Sequence, residues 1–122
     1  MTSGSGSPIV LVVEDEGLVR QMSADELVDA GYQVLEAANS QEAIAILESG
    51  VRVAVLFTDV NMPGGMDGLK LAHAVRNRWP PIKIIVVSSQ SPESDLPSDV
   101  SFLAKPYQID EMVSEIRSLI GR

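Results

Sequence analysis

The sequence predicts an α/β fold, a doubly wound five-stranded parallel sheet with helices on both faces and a shortened or missing fourth helix. Short apolar runs rich in Val and Ile alternate along the chain with segments of helical periodicity. The runs at 9–13 (IVLVV), 53–57 (VAVLF) and 82–87 (IKIIVV) are near-continuously apolar, as strands buried on two faces require. Between Ser88 and the last strand, however, Pro92 and Pro97 leave room for about one helical turn.

Five strands are expected, at 9–13, 33–37, 53–57, 82–87 and 100–104. The helix after the first strand runs from about Glu16 to Ala30, with a loose apolar pattern of Val19, Met22 and Leu27, and stops at Gly31. The next covers Ser40 to Glu48 and turns Ala43, Ile44 and Leu47 inward. Asn39 and Glu42 stand in capping-box spacing before it and Gly50 stops it. The third, from Asp67 to Asn77, buries Leu69, Leu71, Ala72 and Val75. The last carries one apolar stripe through Ile109, Met112, Val113, Ile116, Leu119 and Ile120. Residues 1–7 (MTSGSGS) cannot pack and read as a flexible native tail or a cloning scar, so the domain is expected to occupy 8–122.

Length and composition narrow the function. A chain of 122 residues is one domain of ordinary size, with 45% hydrophobic residues to build a core. The absence of Cys excludes disulfides, thiolate metal sites and thiol nucleophiles, and with no secretory signal the expected location is cytoplasmic. No apolar run is long enough to span a membrane. Nine basic against seventeen acidic residues give a net charge of −8, which argues against direct nucleic-acid binding.

In an open parallel sheet, ligands bind beyond the carboxyl ends of the strands. Reading those ends gives Glu14 and Asp15 after the first strand and Asp59 after the third. Ser88 follows the fourth, and Lys105 with Pro106 follows the fifth. Three ionised carboxylates within ~4 to 6 Å repel by several kcal/mol per pair at an effective dielectric near ~20, so a cation is required. Hard oxygen donors without His or Cys select Mg²⁺. Lys105 and Ser88 add a positive charge and a hydroxyl for a phosphate. Asp59, ending the central strand before a Gly-rich loop (VNMPGGMDG), is best placed as a phosphoryl acceptor.

With these residues in place, residues 8 to 121 resemble the CheY-like receiver domains of two-component response regulators. The matching motifs are the acidic pair Glu14 and Asp15, Asp59 followed by Met62 and Pro63, Ser88, and Lys105 with Pro106. The resemblance implies a flavodoxin-like strand order of 2-1-3-4-5. It implies that Asp59 accepts a phosphoryl group from a histidine kinase or histidine phosphotransfer protein. Mg²⁺ would be held by Asp15, Asp59 and the Asn61 backbone carbonyl, with Glu14 acting through water. Ser88 would bond the phosphoryl group, Lys105 would pair with it, and Phe102 would be the aromatic switch that moves with Ser88.

The chain departs from the family pattern in three places. Glu14 stands where Asp is commoner, Gly64 and Gly65 lengthen the loop after Asp59, and the interval from Ser88 to Lys105 is about five residues shorter than is common. A short interval leaves no continuous fourth-helix surface, so a monomer is expected rather than a dimer through that face. Asn61 and Gln90 each lie two residues past a site residue and could influence dephosphorylation. His73 lies on the third helix away from any strand end and is given no role, and Trp79 packs at a helix end.

Two other functions use the same sheet. A degenerate receiver would act as a phosphorylation-independent interaction scaffold. A flavodoxin-like small-ligand module would need aromatics beside the site, whereas neither Tyr32 nor Trp79 follows a strand there. The chain stops soon after its last helix, so the expectation is a stand-alone regulator or a receiver excised from a larger protein, with an unidentified downstream protein partner.

Overall fold

The computed structural model describes residues 7–60, 67–89, 96 and 99–121. Its strands are β1 (Ile9–Val13), β2 (Gln33–Ala37), β3 (Val55–Asp59), β4 (Lys83–Ser88) and β5 (Ser101–Ala104). Its helices are α1 (Gly17–Asp29), α2 (Ser40–Glu48), α3 (Gly68–Arg78) and α4 (Ile109–Ile120). The strands form one sheet in the order β2-β1-β3-β4-β5, every neighbouring pair parallel. The parallel sheet is the one expected from the alternating pattern, and its strand order is the one the family resemblance implies. Among the described residues no helix lies between β4 and β5, in keeping with the shortened or missing helix there. Pro92, Pro97, Gly64 and Gly65 lie outside the described residues.

The continuous apolar runs are explained by two cores, one on each face of the sheet. Leu11, Val13, Leu56, Ile84 and Val86 pack with Ala43, Leu47, Leu71 and Val75, which places α2 and α3 on one face. Their strand neighbours Val10, Val12, Val55, Phe57, Ile85 and Val87 pack with Leu27, Met112 and Ile116, which places α1 and α4 on the other. Successive side chains of a strand point to opposite faces, so only an unbroken apolar run can serve both cores. Each fully buried Leu or Ile of this set contributes about 1.5–3 kcal/mol relative to exposure.

Helix ends follow local chemistry. Asn39 Oδ1 accepts from the Glu42 amide at 2.8 Å, while Glu42 Oε1 accepts from the Ala38 amide at 2.7 Å, one residue earlier than the expected box. Asp67 caps α3 by accepting from the Lys70 amide at 2.9 Å. Gly31 and Gly50 follow α1 and α2 with φ of 103° and 92°, a region side chains rarely enter.

Several boundaries and facings differ from expectation. β3 begins at Val55 and continues through Thr58 and Asp59, two residues later than the apolar run at 53–57, because the backbone of both polar residues pairs with β4. β4 and β5 each start one residue later than expected, at Lys83 and Ser101. α1 begins one residue after Glu16 and ends one before Ala30, and α3 extends to Arg78. Met22, read as inward, is 59% exposed, and Ala24 takes the buried place beside Leu27. Ile109, read as part of the buried stripe of α4, is 47% exposed at its first position, where the helix has cleared the sheet edge.

Candidate functional site: an acidic pocket with a lysine

The parallel sheet sends all five carboxyl ends to one edge. Glu14 and Asp15 follow β1 directly, Asp59 is the last residue of β3, Ser88 the last of β4, and Lys105 the first past β5. Because β1, β3 and β4 are the central three strands, Glu14, Asp59 and Ser88 are walled by neighbours and are all buried. Asp15 is exposed at the rim and Lys105 is half-buried.

Lys105 joins the carboxylates. Its Nζ donates to Asp59 Oδ2 at 2.6 Å and lies 3.9 Å from Glu14 Oε1. Its backbone amide donates to the Ser88 carbonyl at 2.8 Å, so β5 is tied to β4 where the lysine leaves the sheet. The Lys105–Pro106 peptide bond is cis. Burial acts to lower the Lys105 pKa, but the hydrogen bond and charge of Asp59 outweigh it and the ammonium is held above its ordinary 10.5.

The Glu14 carboxyl is pushed up from 4.5 to about 7. Burial is the largest cause. The Glu16 amide, which donates to Glu14 Oε2 at 3.1 Å, opposes the rise, and neighbouring Asp59 and Asp15 reinforce it. One ammonium therefore does not balance the acidic groups gathered here. Glu14, Asp15 and Asp59 are hard oxygen donors of the kind that Mg²⁺ selects, and their excess negative charge suits a divalent cation. Among the described residues no three acidic or imidazole side chains stand in a ready-made coordination geometry. Asn61, the expected backbone ligand, lies outside the described residues, as does Gln90.

The carboxyl end of β3 is braced around Asp59. Thr58 is fully buried and its Oγ1 donates to the Asp59 carbonyl at 3.1 Å. Gly68 opens α3 directly against the backbone of β3. A Cβ there would collide with the Asp59 carbonyl oxygen and stand 2.8 Å from both the Asp59 carbonyl carbon and the Val60 Cα. The Gly68 amide donates to the Val60 carbonyl at 2.9 Å. Phe102 pairs in register with Val86, two residues before Ser88, and is half-buried.

Three contributors escaped the sequence reading. Arg20 donates from Nη1 to the Glu14 carbonyl at 2.8 Å and from Nε to Glu36 at 3.2 Å, clamping the turn after β1 to β2. Tyr107 meets Phe57 edge-on, with ring centroids 6.1 Å apart and planes at 77°, and flanks Lys105. Ser23 lines the same small cleft from α1. The signal available for Arg20 was its place in the first turn of the helix that follows the acidic pair.

The fold is a 2-1-3-4-5 parallel sheet with an acidic pocket and a lysine at its carboxyl edge, and the chain belongs to the response regulator receiver domain family, whose sequence pattern matches residues 10–117. It is similar to the sensor kinase CckA of Brucella abortus, at 38% identity over 127 aligned residues. That match covers 99% of this chain but 13% of the kinase. The response regulator receiver protein CpdR of the same organism is 31% identical over 116 residues, covering 91% of this chain and 95% of CpdR. Among solved structures, the receiver domain of the hybrid histidine kinase CckA superposes with a TM-score of 0.80 at 33% identity, covering 92% of this chain and 98% of that one. TrrA of Thermotoga maritima, solved in complex with Mg²⁺ and BeF, gives 0.83 at 30% identity over 92% of this chain and 98% of its own. No helix among the described residues is long and apolar enough to cross a membrane.

Proposed function

We propose that this receiver domain is an active phosphoacceptor switch that takes a phosphoryl group onto Asp59 from the phosphohistidine of a histidine kinase or phosphotransfer protein. The carrying observation is the buried cluster of Glu14 and Asp59 around the Lys105 ammonium at the carboxyl edge of the sheet. In the transfer an Asp59 carboxylate oxygen attacks phosphorus, the phosphorus–nitrogen bond of phosphohistidine breaks, and the leaving imidazole keeps the electron pair. Asp15, Asp59 and the Asn61 backbone carbonyl would hold Mg²⁺, with Glu14 acting through water, and the ion would supply charge neutralisation for the incoming anion. Lys105 then exchanges its Asp59 partner for a phosphoryl oxygen, and Ser88 donates its hydroxyl to another. Phe102 follows Ser88 as the conformational switch, and Asn61 and Gln90 tune water attack on the acyl phosphate.

Leu18 and Met22, one turn apart on α1, and Ile109 at the first position of α4 are exposed large apolar residues on the two helices that cover one face of the sheet, and we read them as an apolar rim. This rim suits docking of a protein phosphodonor. The acidic charge of the chain favours protein partners over nucleic acid in the cytoplasm, with the downstream partner unassigned. The domain acts on its own phosphoryl group rather than as an enzyme on other substrates, and works as a monomer in both states. Light scattering with and without beryllofluoride tests that, and a mimic-induced dimer through residues 90–98 would overturn it.

Acetyl phosphate with Mg²⁺ should add one phosphoryl group, seen by intact mass, that is lost in Asp59→Asn. An adduct of full yield in Asp59→Asn defeats the assignment, and no adduct in the wild type favours the phosphorylation-independent scaffold. A coloured, flavin-bearing preparation would instead favour the small-ligand module.

A further inference from the structure

At the pole opposite the acidic pocket, the amino ends of β3 and β4 and the carboxyl ends of α2 and α3 leave a half-open cavity of about 360 Å³. Its walls are mainly apolar: Leu47, Val51, Val53, Trp79, Pro81 and Ile82. That volume lies within the ~300–1,000 Å³ of small-molecule sites, which combine apolar walls with a few placed polar groups. Strand β3 runs away from it for five residues, roughly 13 Å at ~3.3 Å per residue, before reaching Asp59. It is therefore separate from the phosphoryl site.

Charge at the mouth narrows the occupant. Arg52 lines the cavity, is exposed, and makes no ion pair among the described residues, although acidic residues outnumber basic ones almost two to one in this chain. The neighbouring Arg78 is already committed: it pairs with Glu48 at 2.9 Å and covers the Trp79 ring, its guanidinium carbon 4.4 Å from the centroid. One uncommitted cation beside apolar walls matches a ligand with one anionic group and an apolar body. A compact phosphate would leave those walls unfilled, and a neutral hydrocarbon would leave Arg52 unused.

We propose that this cavity binds a small amphiphilic carboxylate, its apolar body between Trp79 and Val53 and its carboxylate on Arg52. Trp79 is the only tryptophan, so its emission reports the cavity directly. Octanoate titrated into the full chain should shift Trp79 emission saturably, with octan-1-ol as the neutral control and inorganic phosphate as the headgroup control. Arg52→Ala should weaken octanoate about fivefold, the scale of a partly exposed charge pair, and leave octanol unchanged. Val51→Phe, at a half-exposed position, should fill the space and abolish both. Both variants should retain wild-type acetyl phosphate labelling at Asp59, which shows that they are folded. The proposal is overturned if octanoate gives no saturable shift, if it binds Arg52→Ala and wild type alike, or if inorganic phosphate competes for the site. Emission that depends on protein concentration without ligand would identify a second copy of the chain as the occupant and overturn it equally.

Discussion

Raising the pH of the metal-free domain from 5 to 8 should destabilise it through Glu14. The folded state holds this carboxyl near pKa 7 against an ordinary 4.5, because burial beside Asp59 disfavours its charge. A carboxyl raised in the folded state binds its proton more tightly there than in the unfolded chain. Its contribution is therefore fully present below pH 4.5 and is lost as the pH climbs to about 7. At about 1.4 kcal/mol per pH unit the whole interval is worth about 3 kcal/mol or slightly more, most of it lost between pH 5 and 8, a large share of the ~5–15 kcal/mol of a small domain. Lys105 does not interfere, since its raised pKa changes stability only above pH 10.5. Urea unfolding in EDTA at half-unit pH steps should show the fall. Glu14→Gln should remove most of the slope and be the more stable protein at pH 8. Mg²⁺ should flatten the wild-type slope by holding the ionised form. A metal-free wild type as stable at pH 8 as at pH 5, or a Glu14→Gln variant with the same slope, refutes the reasoning.

Lys105→Ala should still accept a phosphoryl group but lose the chemical-shift response to beryllofluoride, with metal-free stability down by about 1–3 kcal/mol as Asp59 loses the hydrogen bond and charge of the ammonium. A wild-type shift pattern would exclude Lys105 from the site. Gly68→Ala should cost about 1–3 kcal/mol in urea unfolding and slow Asp59 labelling, because its Cβ meets rigid Asp59 backbone rather than a yielding side chain. Unchanged labelling would separate the start of α3 from the site. Trp79 emission should stay flat on Mg²⁺ titration, since the ring lies at the opposite pole, and strong quenching would contradict that placement.

Much of this molecule is legible in its sequence for a simple reason: two-sided burial writes strands as unbroken aliphatic runs. β1, β2 and α2 fall at their expected bounds. The reading slipped at β3, where Thr58 and Asp59 end the apolar run but not the ladder. Function places polar side chains on a strand whose backbone remains paired. Met22 was misread because α1 carries apolar residues around its circumference, with Leu18, Met22 and Val28 all exposed, so periodicity does not select a face. The site residues Glu14, Asp59, Ser88 and Lys105 could be read from strand ends because a parallel sheet gathers those ends at one edge. Tyr107 and Ser23 could not, since each reaches the site from a turn or a helix whose direction only packing decides, and Arg20 was marked only by its place in the first turn after the acidic pair.

The backbone around Asp59 bears on how a signal must travel. Asp59 pairs in register with Val87, the next amide, that of Val60, donates to the Val87 carbonyl at 3.0 Å, and Gly68 seals the carbonyl side. Asp59 thus ends the middle strand of the sheet with its backbone held on two sides. Under the proposed function, a phosphoryl group placed there would meet a support already paired with β4 and packed against Gly68. Under that function a signal would leave by recruitment, as the half-buried Lys105 is drawn to a fixed charge. On that reading the messenger would stay still and its neighbours would do the moving.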